Sequence, residues 1–206
     1  MKIIGKLYSI SFILRNNFYP IWNKIKFSNK GIIYGKNLKI TSSMYLKLGI
    51  NANITIGNDF TFLSNDCYNP LCRNLKGCLV ANSNSQIHIG NNVGMSAPCI
   101  WSHESITIGN NVNIGGDCIL LDSDAHSLNY LDRRIPFTDQ TNKKNAPIII
   151  EDDVLIGARC IILKGVTIGA RTVIGSGSVV TKSIPADCIA AGNPCKVIRY
   201  FNENKS

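Results

Sequence analysis

The sequence predicts an all-β protein built as a parallel β-helix. Apolar residues recur every six positions over long stretches, and the residues between them are small or turn-forming. Glycine or asparagine stands at a fixed phase of this repeat, where a chain that turns a corner needs a positive φ. A helix requires apolar spacings of three and four, and an ordinary strand alternates, so neither produces a period of six. Short strands joined by tight turns produce it, because each coil then stacks its inward side chains on the next coil.

The repeat is clearest over residues 154–180. One apolar column consists of Ile156, Ile162, Ile168, Ile174 and Val180. A second column, of compact residues, stands two positions earlier and consists of Val154, Cys160, Val166, Thr172 and Ser178. The pattern recurs over residues 106–120 and more weakly from Ile32 through Ile50 to Phe62. Stacked β-hairpins are the alternative, but a strict six-residue spacing has no role in hairpins.

The composition predicts one soluble globular domain. Of the 206 residues, 45% are apolar and 17% are charged, and no uninterrupted apolar run is long enough to predict a spanning helix. The net charge of +9 suits an anionic partner: nucleic acid, a membrane surface or a phosphorylated small molecule. The start of the chain lacks an export signal, and its eight cysteines form no CxxC pair. We therefore expect a cytoplasmic protein with reduced thiols and no zinc ribbon.

Two stretches interrupt the repeat. Counting in sixes from Leu120 places His126 at an inward position, yet residues 122–147 are polar and carry several charges. Burying those charges in an apolar stack would be costly, so we predict that the chain leaves the coil and forms an external loop over 122–147. A long loop on a regular scaffold is a usual place for function. Residues 65–77 predict a second excursion.

Residues 1–30 differ from the rest of the chain. They are basic and aromatic, have no glycine corner after Gly5, and place several isoleucines and leucines on one helical face. We predict a basic amphipathic helix that caps the open end of the coil. The aromatic side chains among the cations also leave peripheral membrane contact through this segment open. The predicted organisation is a cap over 1–30, a β-helix domain over 31–199 and a tail over 200–206.

The external loop opens with the one segment that suggests acid–base chemistry. It reads Asp122-Ser123-Asp124-Ala125-His126. An imidazole titrates near neutrality, so His126 can accept a proton from a hydroxyl and return it to a leaving group. A nearby carboxylate would fix its tautomer, and Asp124 is our first choice for that role, with Asp122 as the alternative. A solvated loop histidine without function is the competing interpretation.

Other loop and corner residues are weaker candidates. His103 stands at a corner and could line an acceptor cleft, as could Arg133 and Arg134 in the loop. His88 alternates with isoleucines and is predicted to point outward from a strand without a role. Cys118 and Cys160 fall in the compact inward column, where a thiol serves as an apolar filler.

The segment APIIIEDDVLIGARCIILKGVTIGARTVIGSGSVVTKSIPADCIAAGNPCKVIR, residues 146–199, resembles the hexapeptide-repeat acyltransferases. It is most similar to the maltose, galactoside and surface-polysaccharide O-acetyltransferases, and the likeness extends over most of residues 80–199. The resemblance implies a left-handed β-helix, a homotrimer, acetyl-CoA as acyl donor and His126 as catalytic base. No metal is expected, because the closely spaced histidine pair of the γ-type carbonic anhydrases, which share this fold, is missing.

The resemblance also implies a carrier site in the last coils. The matching positions are Ala158 and Ser176, acting through backbone amides, Thr181 and Lys182 beside the pantetheine and phosphates, and Arg199 at the nucleotide phosphates.

The acceptor is inferred by elimination. The sugar-binding asparagine and aspartate of the galactoside and maltose enzymes have no match before His126, and the motifs of the xenobiotic and serine acetyltransferases are absent. We expect a sugar hydroxyl of a bacterial surface polysaccharide, or of its lipid-linked or nucleotide-linked precursor, and no nucleic-acid partner. N-acetylation of a nucleotide-linked amino sugar and a catalytically inactive β-helix scaffold are the alternatives.

Overall fold

The computed structural model describes residues 18–64, 68–73 and 75–201. Within these residues, short strands wind into a parallel β-helix with three faces. The strands are β1 Ile33–Tyr34, β2 Lys39–Ile40, β3 Tyr45–Leu48, β4 Asn53–Ile56, β5 Thr61–Leu63, β6 Cys78–Ala81, β7 Gln86–Ile89, β8 Gly94–Ser96, β9 Cys99–Ser102, β10 Ser105–Ile108, β11 Asn113–Ile114, β12 Ile119–Leu121, β13 Ile148–Ile150, β14 Leu155–Ile156, β15 Ile161–Leu163, β16 Thr167–Ile168, β17 Val173–Ile174, β18 Val179–Val180, β19 Cys188–Gly192 and β20 Cys195–Tyr200.

Each face is a sheet whose neighbouring strands stand three apart in the chain, as a three-sided coil requires. Face A contains β1, β4, β7, β10, β13 and β16, and face C contains β3, β6, β9, β12, β15 and β18. Face B contains β2, β5, β8, β11, β14 and β17, followed by β19 and by β20, which pairs antiparallel with β19. We name the three corners of the prism edge AB, edge BC and edge CA after the faces that they join.

The core fills the inside of the prism. The columns predicted from Ile156 to Val180 and from Val154 to Ser178 are buried throughout. In-register pairs such as Ile106 with Ile148 stack like side chains on one another, and burying each such side chain contributes about 1.5–3 kcal/mol. In the weaker column, Ile32 and Phe62 are buried as predicted, but Ile50 is 76% exposed. Ile50 lies at edge CA, two residues after the end of β3. This strand has four residues, more than the two-residue strands of the last coils, and its extra length shifts the phase of the six-residue repeat.

The asparagines of the repeat stand at the corners of the prism. Along edge AB, side-chain amides form a ladder in which Asn58 donates to Asn91 and Asn91 donates to Asn110, at 3.1 and 3.0 Å. Asn92 next to them has a φ of 54°, a conformation that asparagine tolerates better than most residues. Gly90 is required for a different reason, because a Cβ there would lie 2.6 Å from the carbonyl oxygen of Gly109 in the next coil.

Two excursions interrupt the coil where the sequence predicts them. The chain leaves face C after β12 and returns as β13, so residues 122–147 lie between them and contain a 3₁₀ turn, Asp132–Arg134, and helix α2, Pro136–Asn142. Between β5 and β6 the described residues include the 3₁₀ turn Pro70–Cys72. Arg73 anchors this second excursion through an ion pair of 2.6 Å with Asp117.

Residues 18–29 are helical, and we call them α1. Phe27 is buried in the core, and the Asn23 amide donates to the Ser42 carbonyl oxygen at 2.9 Å, so α1 packs against the first coils. Its other side exposes Phe18, Ile21, Trp22 and Ile25. Residues 1–17 lie outside the described residues, so membrane contact through 1–30 stays a prediction. No helix among the described residues is long and apolar enough to cross a membrane.

Candidate active site

The root of the long loop is fixed by Asp122. Its side chain is fully buried and accepts hydrogen bonds from the Ser102 hydroxyl and from the backbone N–H groups of His103 and Glu104, at 2.8, 2.6 and 2.9 Å. The Asp122 carbonyl accepts from the N–H of Ala146, which closes the loop where it rejoins edge CA. A buried carboxylate with three donors is satisfied. Asp122 therefore holds the corner and is not the partner of His126.

The carboxylate that contacts His126 belongs to Asp139 of α2. Its Oδ2 lies 2.6 Å from His126 Nδ1, and its Oδ1 accepts from the Ser127 N–H at 2.8 Å. The hydrogen bond from His126 and then that from Ser127 hold the pKa of Asp139 below its usual range. The Asp139 side chain is only 10% exposed, whereas the imidazole is 65% exposed. Nδ1 is thus occupied, and Nε2 is the nitrogen left for chemistry.

The expected pairing of His126 with Asp124 is wrong. Asp124 instead forms an ion pair of 3.2 Å with Lys164, in the next coil of edge CA. The chain bends between the two residues, where Ala125 has a φ of 61° and its N–H donates to the Ser123 hydroxyl oxygen at 2.9 Å. Asp124 therefore faces the coil, while His126 faces the loop.

Sequence reasoning missed Asp139. It lies thirteen positions after His126, in a polar stretch without a repeat. Only the folding of the loop onto itself brings α2 back to the histidine. The one available signal was chemical: the loop helix contains a single carboxylate residue.

The loop around the pair is stiffened by its own hydrogen bonds. The Ser127 hydroxyl donates to Asp132 at 2.7 Å, and Arg133 donates to the Ser127 carbonyl oxygen at 2.7 Å. Arg134 is exposed and lies over the Tyr130 ring at 5.3 Å. Arg133, proposed from sequence as a substrate contact, is thus engaged in holding the segment that carries His126.

The other histidines take different positions. His88 is exposed on face A, as predicted, and shares a hydrogen bond of 2.7 Å with Thr55. His103 lies at edge CA, half-buried, with its Nδ1 3.3 Å from Lys143 Nζ. It therefore borders the loop on the side away from Lys164.

The predicted carrier residues fall on separate edges. Ala158 and Ser176 stack on edge BC. The backbone N–H of Gly177, the residue after Ser176, donates to the Ala158 carbonyl oxygen at 2.8 Å. Thr181 and Lys182 are exposed on edge CA, following β18. Arg199 lies on β20 at the end of face B, in register with Ile189. The structure thus brings Thr181 and Lys182 to the edge that carries the His126 loop and places the others elsewhere.

The two thiols of the compact inward column lie where the sequence predicts them. Cys118 and Cys160 are 1% and 0% exposed, inside the prism. Among residues 18–64, 68–73 and 75–201, no group of three or more His, Cys, Asp and Glu side chains could hold a metal ion.

Known proteins resemble this chain in both sequence and fold. The family model described as the hexapeptide repeat of succinyl-transferase matches residues 147–182. The 2,3,4,5-tetrahydropyridine-2,6-dicarboxylate N-acetyltransferase of Staphylococcus aureus (strain Newman) is 50% identical over 58 residues, which are 28% of this chain and 24% of that protein. The chain thus matches about a quarter of that curated relative.

Solved structures cover more of the chain. The polySia specific acetyltransferase NeuO has a TM-score of 0.59 and 27% identity, covering 82% of this chain and 75% of its own. AntD, an N-acyltransferase from Bacillus cereus in complex with dTDP-4-amino-4,6-dideoxyglucose and coenzyme A, has a TM-score of 0.56 and 19% identity, covering 86% and 88%, and supports the fold alone. The repeat match over residues 147–182, the three-faced coil and these structures confirm the resemblance: the chain carries hexapeptide repeats and has the left-handed parallel β-helix fold seen in hexapeptide-repeat acyltransferases.

Proposed function

We propose that this chain is an acetyl-CoA-dependent O-acetyltransferase that acts on a sugar hydroxyl, with His126 as general base and Asp139 as its positioning residue. The observation that carries the proposal is the His126–Asp139 pair, an exposed imidazole held through Nδ1 by a buried carboxylate on a loop beside the last coils. The likeness to NeuO, a polySia specific acetyltransferase, supports a glycan acceptor. We place the enzyme in cytoplasmic synthesis of a bacterial surface polysaccharide.

The chemistry is direct transfer between two bound substrates. The acceptor hydroxyl gives its proton to Nε2 of His126 while its oxygen attacks the thioester carbonyl carbon of acetyl-CoA. The C–S bond then breaks, and the departing thiolate takes the proton from the imidazolium. Asp139 stabilises that cation and keeps Nε2 unprotonated beforehand. No acetyl group remains on the protein in this scheme.

The proposal is tested by following free thiol while the purified chain is incubated with acetyl-CoA and a panel of neutral sugars, sugar acids and amino-sugar nucleotides. Thiol release that requires both an acceptor and His126 supports the proposal. Failure of the folded chain to release thiol with any acceptor would instead favour the inactive scaffold.

An amine acceptor is the second candidate, because the curated relative is an N-acetyltransferase. Mild base distinguishes the two products, since an ester is cleaved and an amide survives. A base-stable product would replace the hydroxyl acceptor with an amine while leaving His126 as the base.

The carrier-site residues give the first kinetic prediction. Lys182→Ala and Arg199→Ala are each expected to raise KM for acetyl-CoA about 10-fold or more and to leave kcat within about twofold, because charged hydrogen bonds to phosphate contribute about 1.5–3 kcal/mol. The exposed lysine of β20, Lys196, is the matched control, and Lys196→Ala should change neither constant. If one of these two residues contacts the 3′-phosphate, its replacement should raise KM less with the dephospho-CoA substrate than with acetyl-CoA. Equal losses with both carriers would move the contact to another part of coenzyme A.

The positions of the site residues favour a homotrimer with shared sites. His126 and Lys182 lie on edge CA, whereas Ser176 lies on edge BC, five residues before Thr181 and thus roughly 16 Å of extended chain away. Face C between these edges exposes Trp101 and Ile119, a surface that a second prism would cover. Threefold packing would bring edge CA of one chain against edge BC of the next and exclude water from the groove.

Hybrid trimers test this arrangement. His126→Ala removes the base, and Ser176→Trp blocks the carrier edge at an exposed corner, so each variant alone should be nearly inactive. Co-expressed in equal amounts, they should recover roughly a quarter of wild-type activity, since one groove in four would combine an intact loop with an intact edge BC. Sedimentation should report three times the mass of one chain. No recovery in confirmed mixed trimers would place the whole site within one chain.

A further inference from the structure

A concavity lies on edge CA beside the external loop, and nothing in the proposed reaction accounts for it. It has a volume of about 370 Å³ and is lined by Lys47, Gly49, Asn82, Ser83, His103, Lys143 and Asn145. We call it the corner pocket. Lys47 lies on β3 next to edge CA, and the other lining residues come from three successive corners of this edge and from the end of the external loop. The volume is within the range of small-molecule sites.

The corner pocket gathers positive charge without a matching carboxylate. Lys143 Nζ lies 3.3 Å from His103 Nδ1, and the Asn82 amide nitrogen lies 3.1 Å from the same ring atom. Within residues 18–64, 68–73 and 75–201, no carboxylate forms an ion pair with Lys47 or Lys143. Asp122 is the nearby acid, but its oxygens already accept three hydrogen bonds.

The pKa of His103 reflects the surplus of positive charge in the corner pocket. Burial is the main cause that lowers the pKa of His103, and the positive charges of Lys143 and Lys47 lower it further, while Asp122 acts in the opposite direction. Two lysines and an amide donor thus converge on a half-buried imidazole. The partners of Lys143 Nζ are His103 Nδ1 and Gln140 Oε1, at 3.3 and 3.0 Å, and neither carries a negative charge, so an anion would be a stronger acceptor for this cation.

The corner pocket adjoins the loop segments that carry the proposed base and its carboxylate. Lys143 follows α2 directly and stands four residues after Asp139, which is about 6 Å along a helix. Asn145, in the pocket lining, bridges Ser123 in the segment that leads to His126. An acceptor whose hydroxyl meets His126 can therefore extend a neighbouring substituent towards Lys143.

We propose that the corner pocket binds the carboxylate or phosphate group of an anionic sugar acceptor and so selects charged over neutral glycans. Lys143 and Lys47 supply the charge, and Asn82 and His103 supply directional hydrogen bonds. The proposal rests on the proposed acetyl transfer for the identity of the ligand as acceptor. Anion binding itself does not depend on the reaction and can be measured without acetyl-CoA.

The test is titration of His103 by histidine-selective NMR in the full chain, first alone and then with inorganic phosphate or with glucuronate. Binding of an anion offsets the two lysine charges, so the apparent pKa of His103 should rise. Phosphate alone, glucuronate alone or both can produce the rise, and the pattern identifies the anionic group. Lys143→Ala should abolish it, whereas Lys144→Ala, a neighbouring lysine outside the pocket lining, should retain it. A His103 titration unchanged by either anion would overturn the proposal.

Kinetics provide the second readout. Lys143→Ala should raise KM for an acidic sugar acceptor at least about 10-fold, the loss of one charged hydrogen bond, and leave KM for the methyl ester of the same sugar unchanged. Equal effects on the acid and the ester would contradict a charge-selective pocket. If anions bind but no acceptor is ever acetylated, the anion site stands and the proposed enzyme function fails.

Discussion

Replacing His126 with alanine is expected to lower kcat by about 100-fold or more, because general-base catalysis typically contributes 10²- to 10⁴-fold. The affinity for acetyl-CoA should stay nearly unchanged, since the predicted carrier contacts lie on other residues. The imidazole is 65% exposed and packs on the loop through Asp139, so the variant should fold and assemble normally. The measurement is steady-state kinetics together with the binding constant of acetyl-CoA.

His88→Ala is the matched control for that variant. His88 is an exposed histidine that contacts Thr55 on face A, away from the loop, and its loss should leave kcat within about twofold. A folded His126→Ala variant that turns over at a near-normal rate would remove His126 from the mechanism. A stoichiometric acetyl group trapped on a cysteine would instead replace direct transfer with a covalent intermediate.

Asp139→Asn is expected to cost roughly 10- to 1,000-fold in kcat, because a carboxylate that orients a catalytic histidine fixes both its tautomer and its charge. The asparagine amide can donate to Nδ1, which would leave the proton on Nε2 and disable the base. Asp124→Asn should cost less, since Asp124 pairs with Lys164 and does not contact the imidazole. A larger loss for Asp124→Asn would restore the pairing expected from sequence.

The pH dependence of Asp139→Asn separates positioning from mere structural support. In the wild type, the hydrogen bonds from His126 and Ser127 hold the pKa of Asp139 below its usual range, so the carboxylate is ionised wherever the base works. The rate loss of the variant should persist throughout the pH range in which Asp139 of the wild type is ionised, because asparagine cannot supply the negative charge. The stability contributed by ionised Asp139 is present above about pH 4 and is lost as the pH falls through its depressed native pKa. Thermal unfolding of wild type and variant should therefore converge in acid.

The fold was predictable because its signal is periodic. Each six-residue unit must place two side chains inward and another residue at a corner, so the columns around Ile156 and the boundaries of the loop at Leu121 and Ile148 follow from counting. Where strands vary in length the counting fails, as at Ile50 after β3. Handedness has no such signal and came from the family resemblance.

The site was predictable only in part, because its geometry depends on a loop without periodicity. The sequence places His126 at the beginning of that loop, but it gives no means of choosing among nearby carboxylates. The positive φ of Ala125 turns Asp124 towards Lys164, and the return of α2 supplies Asp139. Likewise, the approach of Lys143 to His103 joins residues forty positions apart, which local pattern does not predict.

The most direct test of the account is the mass of the glycan recovered after incubating wild-type chain and the His126→Ala variant with isotope-labelled acetyl-CoA and an acidic glycan. The account predicts one labelled acetyl group on the glycan, removable by mild base, formed by the wild type and at least about 100-fold more slowly by His126→Ala. Label transferred equally fast by both proteins, or an assembled wild-type chain that binds no acetyl-CoA and labels no glycan, would contradict it.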